Sequence, residues 1–275
     1  MDEFTIIYIY AAVIGLCVGS FINVVITRLP EKGKFLSKSR SECPNCKKPI
    51  RAYDLIPVLS WIFLLGRCRD CKERISLRYP VVEILGALVA VVSLLKYEFY
   101  YVFHITSLED AIYVIRFDFN YAAVILFGVS MILLAVSIID FNTTEIPNSL
   151  IIALIPFAIA AIWLLPDTTL LSHAIGLVAI SVPMLLLTLL IPGAFGGGDI
   201  KLMFVCGFLL GWQLTLLAFF IALLLGGSAA VFLLATGRRK KGQHMVFGPA
   251  LCAGVVTSLF AGSYILDWYI GFLIL

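Results

Sequence analysis

Pro192-Gly193-Ala194-Phe195-Gly196-Gly197-Gly198-Asp199-Ile200-Lys201 lies between two long apolar runs. A carboxylate and an ammonium are costly at such a place in a membrane-like sequence, which makes them candidates for function. Three consecutive glycines free the backbone to turn sharply or to let another chain approach. An Asp after glycines at a helix start is also an ordinary N-cap, so Asp199 alone decides nothing. What decides is whether a second group shares its level.

The surroundings are those of a bilayer. Of 275 residues, 61% are hydrophobic and only 13% charged, and the mean hydropathy is +1.05. Apolar runs of about 18–25 residues recur, the length that spans a hydrocarbon core. The first, Phe4 to Thr27, follows Asp2 and Glu3 rather than a basic segment, so it is expected to be retained. Thirteen of the 20 Lys and Arg residues lie between Arg28 and Arg78, and four more form Arg238-Arg239-Lys240-Lys241. The positive-inside rule places both clusters in the cytoplasm. Topology therefore accounts for the basic runs, and nucleic acid is not an expected partner.

These features predict an all-α polytopic membrane protein of about eight transmembrane helices with both termini outside. Helix ends are expected near Phe4–Thr27, Tyr79–Leu95, Tyr121–Ile139, Ser149–Leu165 and Leu170–Ile191. Two more helices are expected to turn at Gly211-Trp212, and the last to follow Val246-Phe247-Gly248-Pro249. Lys96 to Asn120 and Pro166-Asp167-Thr168 belong outside. The domains read as a first helix over 1–27, a cytoplasmic subdomain over 28–79 and a membrane domain over 80–275. Asn23 in the first helix reads as packing glue between helices. Glu83 has a structural reading, as a carboxylate favoured near a helix start or a partner for Arg74 or Arg78, and a functional one, as part of a second cytoplasm-facing site.

The subdomain carries Cys43-Pro-Asn-Cys46 and Cys68-Arg-Asp-Cys71, with 21 residues between the pairs. Two such knuckles predict a tetrahedral zinc site with Cys43, Cys46, Cys68 and Cys71 as ligands. A reducing cytoplasm argues against disulfides. So short a segment needs a metal to hold a fold, and four thiolates leave no open position for a catalytic water. Cys17, Cys206 and Cys252 read as ordinary buried thiols.

The expected topology sets Asp140, at the end of one helix, level with Asp199, at the start of another. Asp140 faces the negative end of its helix dipole and needs a reason to be there. Snorkelling to the interface, despite the short stem of Asp, is one, and pairing with Lys201 another. A catalytic pair with Asp199 is the third: two carboxylates in one site share a proton, one activating water and one hydrogen-bonding a scissile carbonyl.

In order along the chain, the motifs resemble those of the type IV prepilin peptidases, in the GxGD class of intramembrane aspartyl proteases. Gly19-Ser20-Phe21-Ile22-Asn23 with Arg28-Leu29-Pro30 is similar to the family's N-terminal signature. The two cysteine pairs, Asp54-Leu55-Ile56-Pro57, Gly66-Arg67-Cys68 and Arg78-Tyr79-Pro80-Val81-Val82-Glu83 are similar to its cytoplasmic region. Asp140, followed by Ile146-Pro147-Asn148, and Gly196-Gly197-Gly198-Asp199 are similar to its two catalytic motifs, and Phe247-Gly248-Pro249 to its C-terminal one. The resemblance implies that Asp140 and Asp199 cleave prepilin or pseudopilin precursors after a glycine, at the cytoplasmic face of the cytoplasmic (inner) membrane. It also implies methylation of the new N-terminus from S-adenosylmethionine, tied to the cytoplasmic subdomain. It points to Gly66 beside that second activity, with turn geometry or packing as the competing role. Two positions depart from many relatives: Asn148 stands where they carry Asp, and Gly197 where they carry a bulkier residue. A peptidase without methyl transfer, a proton-coupled transporter and a non-catalytic assembly scaffold are the competing functions.

Overall fold

A computed structural model describes residues 3–30, 40–97, 101–104, 114–117, 121–164, 169–237 and 246–274. The helices are α1 (Glu3–Arg28), α2 (Leu59–Phe63), α3 (Arg78–Lys96), α4 (Tyr121–Thr143), α5 (Asn148–Leu164), α6 (Leu170–Ala179), α7 (Ser181–Leu190), α8 (Gly197–Leu210), α9 (Trp212–Ala235) and α10 (Gly248–Ile274). A 3₁₀ turn at Ala52–Leu55 precedes α2. The expected turn at Pro166-Asp167-Thr168 and the basic cluster Arg238-Arg239-Lys240-Lys241 fall outside the described residues.

The predicted apolar runs are helical where described, and among the described residues six helices are long and apolar enough to cross a membrane. They include α6 and α7 taken as one span, Leu170–Leu190. The remaining two, α5 with 17 residues and α8 with 14, are shorter. The all-α class holds, with one short addition. Between α3 and α4, β1 (Tyr101–His104) pairs antiparallel with β2 (Val114–Phe117), Tyr101 facing Phe117 and His104 facing Val114. Strand pairing gives backbone groups outside the helices their partners, and no hydropathy pattern marks this ladder. One correction is that the predicted helix over Leu170–Ile191 is broken at Ile180. Pro183 has no N–H to give the Ala179 carbonyl, one turn earlier, and its ring crowds that carbonyl.

The core follows from which helices are enclosed. Val129, Leu133, Ala135 and Val136 of α4 are fully buried, because α4 packs against α1, α3, α5 and α10. Helix α8 packs against α5, α6, α7, α9 and α10. Large apolar side chains elsewhere point outward, Phe21 on α1, Leu88 on α3 and Phe220 on α9 among them. Outward apolar faces suit a lipid solvent, where burial of apolar surface cannot drive helix association. Close contact through small residues replaces it. Helices α1 and α3 cross at Gly15 and Gly86, where a β-carbon on either would overlap the other's backbone carbonyl. Asn23 Nδ2 donates to the Tyr79 carbonyl at 3.0 Å near the other end of the same contact. Helices α6 and α8 meet in the same way at Gly176 and Gly207. Gly211, at φ +76°, turns the chain between α8 and α9.

A leucine at Gly86 is expected to lower the thermal midpoint of the detergent-purified protein, with an overpacking cost of about 1–3 kcal/mol. Alanine at Gly227, where a β-carbon meets nothing within 4 Å, is expected to be neutral or to stabilise α9 by up to about 1 kcal/mol. Equal midpoints for the two variants would contradict the crossing.

Candidate active site and metal centre

Asp140 lies in the last turn of α4 and is 6% exposed. A carboxylate there finds no free N–H on its own helix, since a helix C-terminus offers only carbonyls. Its donor comes from 108 residues away: the Gly248 amide, at the start of α10, donates to Asp140 Oδ2 at 3.0 Å. Only glycine fits, because a β-carbon at 248 would run into the Asp140 carboxylate. Phe247 is held in turn by aromatic contacts to Phe195 and Phe219, with ring centroids 5.8 Å and 6.5 Å away. Phe195 belongs to the stretch that leads into α8, so one aromatic cluster ties that stretch to the start of α10.

Asp199 is the third residue of α8 and is 9% exposed. Its Oδ2 accepts from the Gly196 amide at 3.3 Å, reaching back over the first turn as a capping carboxylate does. The capping role and the candidate role thus fall on the same side chain. The two aspartates share an electrostatic neighbourhood. The charge of Asp140 acts on Asp199, and both act on buried Cys252 of α10.

The glycines before Asp199 are not equivalent. A β-carbon at Gly198 would lie 2.9 Å from Ile146 Cβ, so glycine there lets α8 approach the segment between α4 and α5. At Gly197 a β-carbon meets nothing within 4 Å, so a larger residue would also be accommodated. Lys201 Nζ donates to Asn148 Oδ1 at 3.2 Å, joining α8 to the first residue of α5. Lys201 is therefore not the counter-ion of Asp140. The anchoring role of the Gly248 amide was missed by sequence reasoning; its only signal was Phe247-Gly248-Pro249, a motif without a chemical side chain.

The four cysteines converge independently of this pair. The sulfurs of Cys43, Cys46, Cys68 and Cys71 all lie within 4.8 Å of one another, and Cys43 Sγ is 3.8 Å from Cys71 Sγ. That separation is far beyond a disulfide bond. It matches the edge of a tetrahedron with metal–sulfur bonds of about 2.3 Å, which is about 3.8 Å. The knuckles are built alike. The amides of Cys43 and Lys47 donate to the carbonyls of Lys48 and Cys43, and those of Cys68 and Lys72 donate to Glu73 and Cys68. Lys47 and Lys72 both take the left-handed conformation, at φ 60° and 61°. The Cys46 amide is the main influence holding the Cys43 thiol down, to about 7; Cys46, although the Lys48 amide lowers it, is pushed up to about 11 by burial and by Cys43 and Cys71, so the crowded thiols favour one thiolate first, at Cys43. These four residues can hold a metal ion.

Around the knuckles, Arg69 grips Asp54 through both carboxylate oxygens, with Nη2 at 2.7 Å from Oδ1. The pair holds Asp54 below the usual carboxylate range, the Arg69 hydrogen bonds being the main cause. Gly66 turns at φ +65°, and a β-carbon there would lie 2.7 Å from the Trp61 ring. Both facts require glycine for turn and packing reasons. Glu83 is buried, and its Oε2 accepts from the Val58 amide at 2.7 Å. It is thus bonded to the subdomain backbone rather than to Arg78, whose Nη2 donates to Thr27.

Comparison with known proteins finds two family models along the chain. Residues 13–97 match the family model described as the bacterial peptidase A24 N-terminal domain, and residues 126–231 the type IV leader peptidase family. A prepilin leader peptidase/N-methyltransferase of Bacillus subtilis (strain 168) is 32% identical over 261 residues, covering 94% of this chain and 96% of the relative. One of Burkholderia pseudomallei (strain K96243) is 33% identical, covering 92% and 85%. One of Legionella pneumophila is 29% identical, covering 96% and 95%. No solved structure matches. A helical, multi-pass membrane protein with these paired motifs defines the class, and the chain belongs to the type IV leader peptidase family.

Purified protein is expected to carry about one metal ion per chain by elemental analysis, and Cys43→Ser or Cys68→Ser to lose most of it. Full metal content in either variant would contradict a four-thiolate centre.

Proposed function

We propose that the protein is a membrane aspartyl endopeptidase that removes the leader from type IV prepilin-like precursors and then N-methylates the new N-terminus. The observation that carries this reading is the pair of buried carboxylates, Asp140 and Asp199. They come from two helices, feel each other's charge, and are oriented by backbone amides. Among the described residues neither takes part in a salt bridge. Two carboxylates so placed cannot both ionise cheaply, so they hold one proton between them.

The chemistry needs no group beyond this pair and water. The ionised carboxylate takes a proton from water as its oxygen attacks the scissile carbonyl carbon after the leader glycine. The protonated carboxyl donates a hydrogen bond to the carbonyl oxygen as that oxygen gains charge. Collapse of the tetrahedral species breaks the C–N bond, and the departing amine takes a proton from the pair. Each aspartate commits Oδ2 to an amide, which leaves Oδ1 for water and substrate. The exposed edge of α8 at Gly197 gives an extended substrate backbone room to approach Asp199.

The same reading assigns a structural zinc ion to Cys43, Cys46, Cys68 and Cys71, since four thiolates close the coordination shell. It counts α5 and α8 as crossings beside the six longer spans, which makes eight, with both termini outside. The basic residues between Arg28 and Arg78 then face the cytoplasm of the cell membrane, as do both aspartates. When bound, S-adenosylmethionine supplies the methyl group that the freed neutral α-amine accepts. Its zwitterionic methionine end suits the junction of α1 and α3. There Asn23 Oδ1 and Arg78 Nε, an acceptor and a donor, are buried and have no hydrogen-bond partner among the described residues. The bilayer and the precursor peptides are the partners of this reading.

Asp140→Asn and Asp199→Asn are each expected to lose cleavage of a prepilin substrate by at least about 100-fold while keeping the parent's metal content. Gly248→Ala is expected to lose cleavage in the same way, because its β-carbon displaces the Asp140 carboxylate. Normal cleavage by either Asn variant would end the two-aspartate mechanism. Cleavage without transfer of label from S-adenosylmethionine would leave a peptidase alone.

A further inference from the structure

The segment between α1 and α3 shows more apolar surface than a water-facing segment ordinarily holds. Phe63 is 81% exposed and Leu65 82%, and Leu55, Ile56, Leu59 and Ile62 are each about half exposed. None belongs to a candidate membrane span. In α2, Leu59, Ile62 and Phe63 share one side at helical spacing. Trp61 turns the other way, its Nε1 donating to the Ile75 carbonyl at 3.2 Å. A contiguous apolar patch of this kind marks a surface that meets something other than water.

Its height relative to the membrane helices decides what it meets. The Val58 amide, immediately before α2, donates to Glu83 Oε2 at 2.7 Å. Glu83 lies five residues into α3 from Arg78, which is about 7–8 Å along the helix axis. Helix α2 therefore starts beside the first turns of α3 instead of standing off in solution. On α3 the outward side chains Val81, Ile84, Leu85 and Leu88 form an exposed apolar stripe, and exposed Leu77 extends it to the same level. The stripe lies on the side of α3 turned away from Glu83, so α2 stands beside α3 at a level where that helix already presents apolar side chains to lipid. Exposed Arg51 and Arg67 bracket it in sequence, and Arg67 pairs with exposed Arg74, the sign of charge that anionic headgroups attract.

We propose that Leu59–Leu65 lies in the bilayer interface, with Phe63 and Leu65 at the boundary of headgroups and acyl chains. The occupant of this face is the lipid bilayer, and the cysteine cluster is held at the membrane surface as a result. This holds whether or not the chain is a peptidase.

The test uses the full chain in nanodiscs of phosphatidylcholine and phosphatidylglycerol, with acyl chains either plain or brominated near the headgroup. Phe63→Trp and Leu65→Trp each add one fluorophore at a site so exposed that packing is not disturbed. The emission added over the parent is expected to fall at least about twofold in brominated lipid at both positions, as for an interfacial segment. Unquenched emission at the wavelength of water-exposed tryptophan would overturn the proposal. So would quenching that appears only when a brominated apolar prepilin peptide is added to plain nanodiscs, which would give the face to a substrate helix.

Discussion

A carboxylate at the end of a helix meets only carbonyls on its own helix, so once buried it has to find a protein donor elsewhere in the chain. Asp140 finds its donor in the Gly248 amide. Much of the arrangement follows from that bond. It requires the start of α10 to reach the end of α4, and it requires glycine at 248. It also brings Phe247 onto Phe195 and Phe219, which holds the segment leading to Asp199. Asp199 is anchored more locally, by Gly196 in its own first turn. One aspartate is thus positioned by tertiary structure and the other by the geometry of a single helix end.

The same contrast explains what the sequence made legible. Features with a local period or a fixed spacing were readable: the apolar runs, the Gly211 turn, the two cysteine knuckles and the level of Asp140 against Asp199. The break at Ile180 had a local signal in Pro183, yet the run around it is apolar throughout and reads as one helix. The pairing of β1 with β2 had no such signal. Contacts across the chain were not readable at all. Lys201 could have reached Asp140 or Asn148, and only the packing of α8 on α5 selects Asn148. Glu83 could have answered an arginine, but Val58 is at hand because the subdomain folds back onto α3.

The two halves of the molecule are organised by different forces. In the membrane half, small residues such as Gly15, Gly86, Gly176 and Gly207 allow backbones to touch, because lipid removes the hydrophobic reward for association. In the cysteine-bearing segment there is little core, and Cys43 is its one buried apolar side chain among the described residues. A cysteine cluster able to hold a metal and the ion pairs Arg69 with Asp54 and Lys48 with Asp70 stand where packing would otherwise be. Glu83 and Asn23 are the polar stitches between the two regimes.

The twin construction of the knuckles also sets the local field. Four thiolates around a divalent ion leave a net charge of about −2. Each knuckle carries a Lys-Lys or Lys-Glu pair immediately after its second cysteine, and the wider segment is strongly basic. With such an ion bound, the centre would be an anion embedded in cations, and its neighbours would repel one another less. Stripping the metal and protonating the sulfurs would remove that anion, so the segment would lose its coordinate bonds and its internal counter-charge in the same event.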